Sequence, residues 1–137
     1  MKILLNKCFG GFHVSADAYK LYCEKKGIDC YFYNENSWNT LQRWTFEKAQ
    51  KDPYCYCVSK DLGNCVDYNT LSNYIIKSPR AYDLRTDKTW IEVVEELGDK
   101  VNTWASDIRV IEIPDGIEYE IDDYDGIETV YEKRRCW

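Results

Sequence analysis

Asn6, Cys8, Gly10, Gly11, Phe12 and Ser15 crowd the start of the chain, and their types suit anion binding. Adjacent glycines let the backbone come close to a ligand. The unpaired N–H groups of a following helix turn point at negative charge. Phe9 and Phe12 bracket the glycines, so one ring can enter the core while the other stacks on a base. The third glycine and the downstream acid of a dinucleotide fingerprint are absent. The same residues therefore also suit a tight strand-to-helix turn that needs φ > 0 at one glycine.

A second candidate closes the chain: Lys133, Arg134, Arg135, Cys136 and Trp137. Arginine suits bidentate phosphate contacts, and tryptophan can stack on a purine or an arginine. Strand alternation would send Arg134 and Cys136 one way and Arg135 and Trp137 the other. The plainer alternative is a basic end that offsets the acidic stretch before it. Arg80 and Arg85 could add positive charge to a pocket, although Arg85 could equally pair with Asp83 or Asp87.

Catalytic chemistry finds little support. Cys8 before a helix N-terminus and His13 could act as nucleophile and base. No third group is identifiable to orient them, and a free cysteine usually behaves as a small hydrophobe. The acids Glu118, Glu120, Asp122 and Asp123 lie on a strand and turn of high local charge, without a visible pocket or partner. Of the seven cysteines, Cys55, Cys57 and Cys65 could supply three thiolates. Cys55-Tyr56-Cys57 is too tightly spaced for a zinc knuckle, and no fourth ligand follows, so no metal or cofactor is expected.

These groups need elements to hold them. Apolar patterning predicts a strand from Lys2 to Lys7 and a helix from Ala16 to Lys26, capped by Ser15 and stopped by Gly27. Ile28 to Tyr33 reads as a second strand. Trp38, Leu41, Gln42 and Thr45 fit a helix broken at Asp52-Pro53; Tyr54 to Ser59 fits a short strand, and Thr70 to Ile76 a helix. Asp87 caps a helix from Lys88 to Leu97 with an apolar stripe of Trp90, Val93, Val94 and Leu97. Ile108 to Ile113 alternates as a strand. Ile117 to Ile121 and Ile127 to Lys133 form a hairpin with Asp-Gly turn chemistry. The sum is one α+β domain over residues 1–137, a mostly antiparallel sheet packed on one face by two or three helices.

Charge narrows the partners. The net charge is −6, yet residues 1–111 are neutral, and residues 112–132 carry nine acids and no base. Such a stripe repels a nucleic acid backbone. It reads either as a solvated hairpin face or as a docking surface for a basic partner. No stretch is apolar enough to span a bilayer, and Met1-Lys2 leads directly into a strand without a secretory signal. With an odd number of cysteines this suggests reduced thiols in the cytoplasm. Twelve Tyr and five Trp offer flat contact surface for a core, a ligand pocket or an interface.

The opening Ile3–Phe12 resembles that of a family of small proteins encoded by bacteriophages and prophages. The end is similar too, through Val110–Ile121, Tyr124-Asp125-Gly126 and Glu132–Trp137, and Arg85-Thr86-Asp87 with Val93–Gly98 also fits. The resemblance lapses over 34–82, which looks like an insertion. It implies a phage origin. Small phage accessory proteins often inhibit host defence, some by sequestering nucleotide-derived immune signals. The expectation is therefore a non-enzymatic, homo-oligomeric binder of a nucleotide-like molecule in the host bacterial cytoplasm. It would use Asn6, Cys8, Gly10, Gly11, Phe12, Ser15, Arg85, Arg134, Arg135 and Trp137. Two alternatives are an acidic inhibitor of a host defence protein and a small nucleotide-processing enzyme using Cys8.

Overall fold

The apolar run Ile3-Leu4-Leu5 makes β1 (Lys2–Asn6) a strand covered on both sides, with all three side chains essentially inaccessible to water. The computed structural model describes residues 1–36, 39–52 and 54–133. In it β1 pairs antiparallel with β6 (Ile108–Glu112), Leu4 opposite Val110.

Two helices pack beside this ribbon. Helix α1 (Ala16–Lys26) starts at Ser15, whose hydroxyl accepts from the Ala18 N–H, and stops at Gly27, whose φ of 69° suits a residue without Cβ. Helix α4 (Lys88–Leu97) is capped by Asp87 and buries Trp90, Ile91, Val93 and Val94. Leu4, Phe12, Val14, Ala18, Trp90, Val93, Val101 and Ile108 form the first core. Trp90 stacks on Tyr22, ring centroids 4.1 Å apart, and meets Tyr19 edge-on.

The other side of α1 faces a second sheet. β2 (Tyr31–Glu35) lies between β4 (Tyr56–Val58) and β3 (Leu41–Trp44), and β3 pairs with the short β5 (Cys65–Val66). Ala16 and Cys23 of α1, Phe32, Cys57, Ile76 and Ala49 of α2 (Phe46–Lys51) make the core between them. Tyr33, Leu41, Val58 and Leu71 fill the far face, and the Tyr33 hydroxyl donates to the Gly63 carbonyl. The third sheet is the hairpin β7 (Tyr119–Tyr124) and β8 (Ile127–Glu132). Its turn residues Asp125 and Gly126 have φ of 52° and 93°, the signs a two-residue hairpin turn needs.

The α+β class stands, with antiparallel pairing throughout. Among the described residues the expected single sheet is instead three. Residues 41–44 form a strand rather than a helix, because Leu41 and Trp44 pair opposite Glu35 and Phe32 of β2. Four residues are too few for period alone to separate the two states. The helix expected over Thr70–Ile76 is the single turn α3 (Tyr68–Leu71) followed by a 3-10 turn. Ile75 and Ile76 leave it extended and join β4: Ile75 bridges Val58, and the Ile76 N–H donates to the Cys57 carbonyl. Residues 34–82 contribute most of the second sheet and its surroundings.

Candidate functional site

The glycine loop is built around a buried polar knot. Asn6 is inaccessible to solvent. Its amide donates to the Cys8 and Gly126 carbonyls at 2.8 and 2.6 Å, and its side-chain oxygen accepts from the Asp107 N–H. The Asn6 N–H donates to Glu128. Glu128 in turn holds Arg85 as a bidentate pair, Nη2 to Oε2 2.7 Å, with both side chains about 5% exposed. Arg85 also donates to the Leu4 and Arg80 carbonyls, and its guanidinium lies 4.3 Å from the centre of the Phe12 ring. All three nitrogens of this fork donate to an acceptor inside the protein.

That arrangement relocates much of the expected site. Asn6, Phe12 and Arg85 face inward and join β1, the 80–85 segment and β8. Ser15 is spent on holding α1: its hydroxyl accepts from the Ala18 N–H and donates to the Lys100 carbonyl at 2.6 Å. The helix start is also covered, with Ala16 and Ala18 buried, so it offers no open anion seat. Gly10 and Gly11, at φ of 115° and 114°, let the hairpin backbone come close. The Gly10 N–H donates to the Asp125 carbonyl, and a Cβ on Gly126 would lie 2.8 Å from the Gly10 nitrogen and nearer still to that of Gly11. Cys8 is half-buried, and among the described residues no hydrogen bond joins it to His13. Arg134, Arg135 and Trp137 lie outside the described residues.

Two clefts meet at Arg80. One, of about 530 Å³, is lined by His13, Tyr19, Asn34, Glu35, Tyr54, Tyr56 and Arg80. The other, of about 630 Å³, runs over Phe9, Gly10 and Gly11 to Asp123 and Asp125. Both sizes suit a nucleotide-like ligand. Arg80 is exposed and forms no ion pair among the described residues. Beside it His13, Tyr54 and Trp104 make a chain of edge-to-face rings, centroids 4.8 and 5.8 Å apart, with Trp104 80% exposed. Sequence reading considered Arg80 only as an accessory and missed the rings. Tyr54 and Trp104 are far apart in the chain and carry no shared motif.

Burial, and then the positive charge of Arg80, hold the His13 pKa below its ordinary 6.5, partly offset by a hydrogen bond with the Gly10 backbone. His13 is the only histidine, so proton NMR follows it without assignment. Arg80→Ala is expected to raise its pKa. The unfolded chain takes up this proton more readily than the folded one. Stability from this group is therefore complete above 6.5 and falls as pH drops below it.

The thiols are also regrouped. Cys65 stands apart from Cys55 and Cys57 and donates to the Thr40 hydroxyl. Cys57 instead meets Cys23 and Cys30.

Comparison with protein-family models, curated proteins and solved structures returned no match. Among the described residues no helix is long and apolar enough to cross a membrane.

Proposed function

We propose that this chain is a binding protein that captures a nucleotide-like anion intact, and that it serves a phage by withholding a nucleotide-derived immune signal from its host. The observation that carries this reading is Arg80. It is an exposed cation without an ion-pair partner among the described residues, and it stands where two ligand-sized clefts meet a run of accessible rings. Phosphate would sit on Arg80 and a base on Tyr54 or Trp104. Asn34 and Glu35, in the same cleft, offer acceptors to an exocyclic amine or a ribose hydroxyl. Capture requires no nucleophile, and among the described residues no hydrogen bond joins Cys8 to His13.

The test is to incubate the purified protein with extract of phage-infected cells, denature it and identify what it releases by mass spectrometry. An intact nucleotide-like compound supports capture; a chemically altered one points to an enzyme. With the released compound, Arg80→Ala should weaken binding about 10- to 150-fold, the worth of a charged hydrogen bond. Tyr54→Ala should cost about 1–3 kcal/mol if the base stacks there. Bound phosphate should also raise the His13 pKa, reversing the effect of Arg80.

A second reading, an acidic inhibitor of a host protein, draws on the hairpin. Glu118, Asp122, Asp123, Asp125 and Glu132 are exposed and make no ion pair among the described residues, and Tyr124 is 73% exposed beside them. Strong salt dependence of partner binding would favour it.

A further inference from the structure

Three thiols from distant parts of the chain converge where α1 meets the second sheet. Cys23 lies in the last turn of α1, Cys30 precedes β2, and Cys57 is the middle residue of β4, opposite Phe32. Their sulfurs all lie within 4.8 Å of one another. Cys23 and Cys57 are buried, and Cys30 is half-buried. We propose that Cys23, Cys30 and Cys57 form a site for a thiophilic divalent cation of the Zn²⁺ class.

Geometry supports the assignment. Zinc binds thiolate at about 2.3 Å, which places sulfurs about 3.8 Å apart around a tetrahedron. Closing the trio to that spacing needs side-chain movements of an ångström or less. Cys30 lines a cleft of about 450 Å³ together with Lys20, Phe32, Trp44 and Phe46, so an ion has a way in and a fourth ligand has room. Such a site has the pattern of three protein ligands and one open position.

Charge supports it as well. Three thiolates around a divalent ion leave one net negative charge. Lys20, whose ammonium lies 4.3 Å from the centre of the Phe46 ring, lines the same cleft and supplies the balancing cation. A monovalent soft ion would leave two negative charges, and Arg43, the other cation of this cleft, is already paired with Asp61. Ala16, Ala49 and Ile76 pack apolar surface around the trio, and the oxygens near it are the Tyr19 hydroxyl and, along the cleft, Thr45 and Asn64. The ion would tie α1 to β4 and the entry of β2, and so fasten the second sheet to the rest of the chain.

The test uses the full chain, reduced and metal-free, titrated with Co²⁺ as a spectroscopic probe. The expected result is one ion per chain, with thiolate-to-cobalt charge-transfer absorption in the near ultraviolet that Zn²⁺ abolishes. A variant with Cys8, Cys55, Cys65 and Cys136 all changed to serine should keep the absorption; Cys30→Ser should lose it. Should Cys30→Ser fail to fold, the wild-type chain carries the test: Zn²⁺ should slow alkylation of the Cys30 peptide, read by mass spectrometry. Absence of the absorption in excess Co²⁺ would overturn the site, as would its survival in folded Cys30→Ser or unchanged alkylation of Cys30. Any of these would leave the trio as packed thiols only.

Discussion

Glu128→Gln should destabilise the fold by about 3–5 kcal/mol, the cost of breaking a buried ion pair on one side. The substitution keeps the shape of the side chain and removes its charge. Arg85 is 5% exposed and cannot turn to solvent, so its guanidinium is left uncompensated among the Leu4 and Arg80 carbonyls and the Phe12 ring. Urea unfolding should show a lower midpoint at unchanged slope, and the melting temperature should fall by roughly 10 °C or more. Arg85→Met should cost a similar amount, by stranding the carboxylate. The double variant Arg85→Met with Glu128→Leu should cost less than either single change, because both charges leave together. It should still fall short of the parent, since the Asn6 N–H loses its acceptor, a penalty of about 1–3 kcal/mol. Additive single effects would show that the pair is not coupled as the geometry requires.

Gly126→Ala is the second large effect, on the order of 3 kcal/mol or more. Two causes add. A φ of 93° disfavours any side chain, and the new Cβ would press on the backbone nitrogens of Gly10 and Gly11. Backbone cannot swing aside as a long side chain can, so the hairpin must lift off the loop. That would break the Asn6-to-Gly126 and Gly10-to-Asp125 hydrogen bonds together. Amide exchange should speed up at Asn6 and Gly10 while α4 stays protected. Gly116→Ala is the control: its φ is also positive, but a Cβ there meets nothing within 4 Å, so its cost should be confined to the local turn. Equal costs would mean that the Gly126 contact does not hold the hairpin down.

Both results bear on what could be read along the chain. Glu128 stands among nine acids in residues 112–132, and nothing local separates it from its exposed neighbours. Its partner is 43 residues away and its other contact, Asn6, 122 away. Arg85 likewise had Asp83 and Asp87 as nearer candidates, but Asp87 caps α4 by accepting from the Trp90 N–H. The glycine pair was legible as a place of close approach. What approaches was not, because Gly126 reaches it from the other end of the chain. The thiol trio was hidden for the same reason: Cys23 and Cys30 lie far from Cys57 along the chain and meet it only where α1 packs on the second sheet.

The elements whose signals are local can be read from the chain alone. These are the apolar β1, α1 between Ser15 and Gly27, α4 between Asp87 and Gly98, and the Asp125-Gly126 hairpin. Caps, turn residues and hydrophobic period act over a few residues, so they need no knowledge of the rest of the chain. Long-range packing sets the division of the described residues into three sheets, the strand at residues 41–44, the burial of Arg85 with Glu128, and the meeting of Cys23, Cys30 and Cys57. Each depends on which distant backbone and side chains exclude water from the same place, and that is settled only when the chain closes on itself.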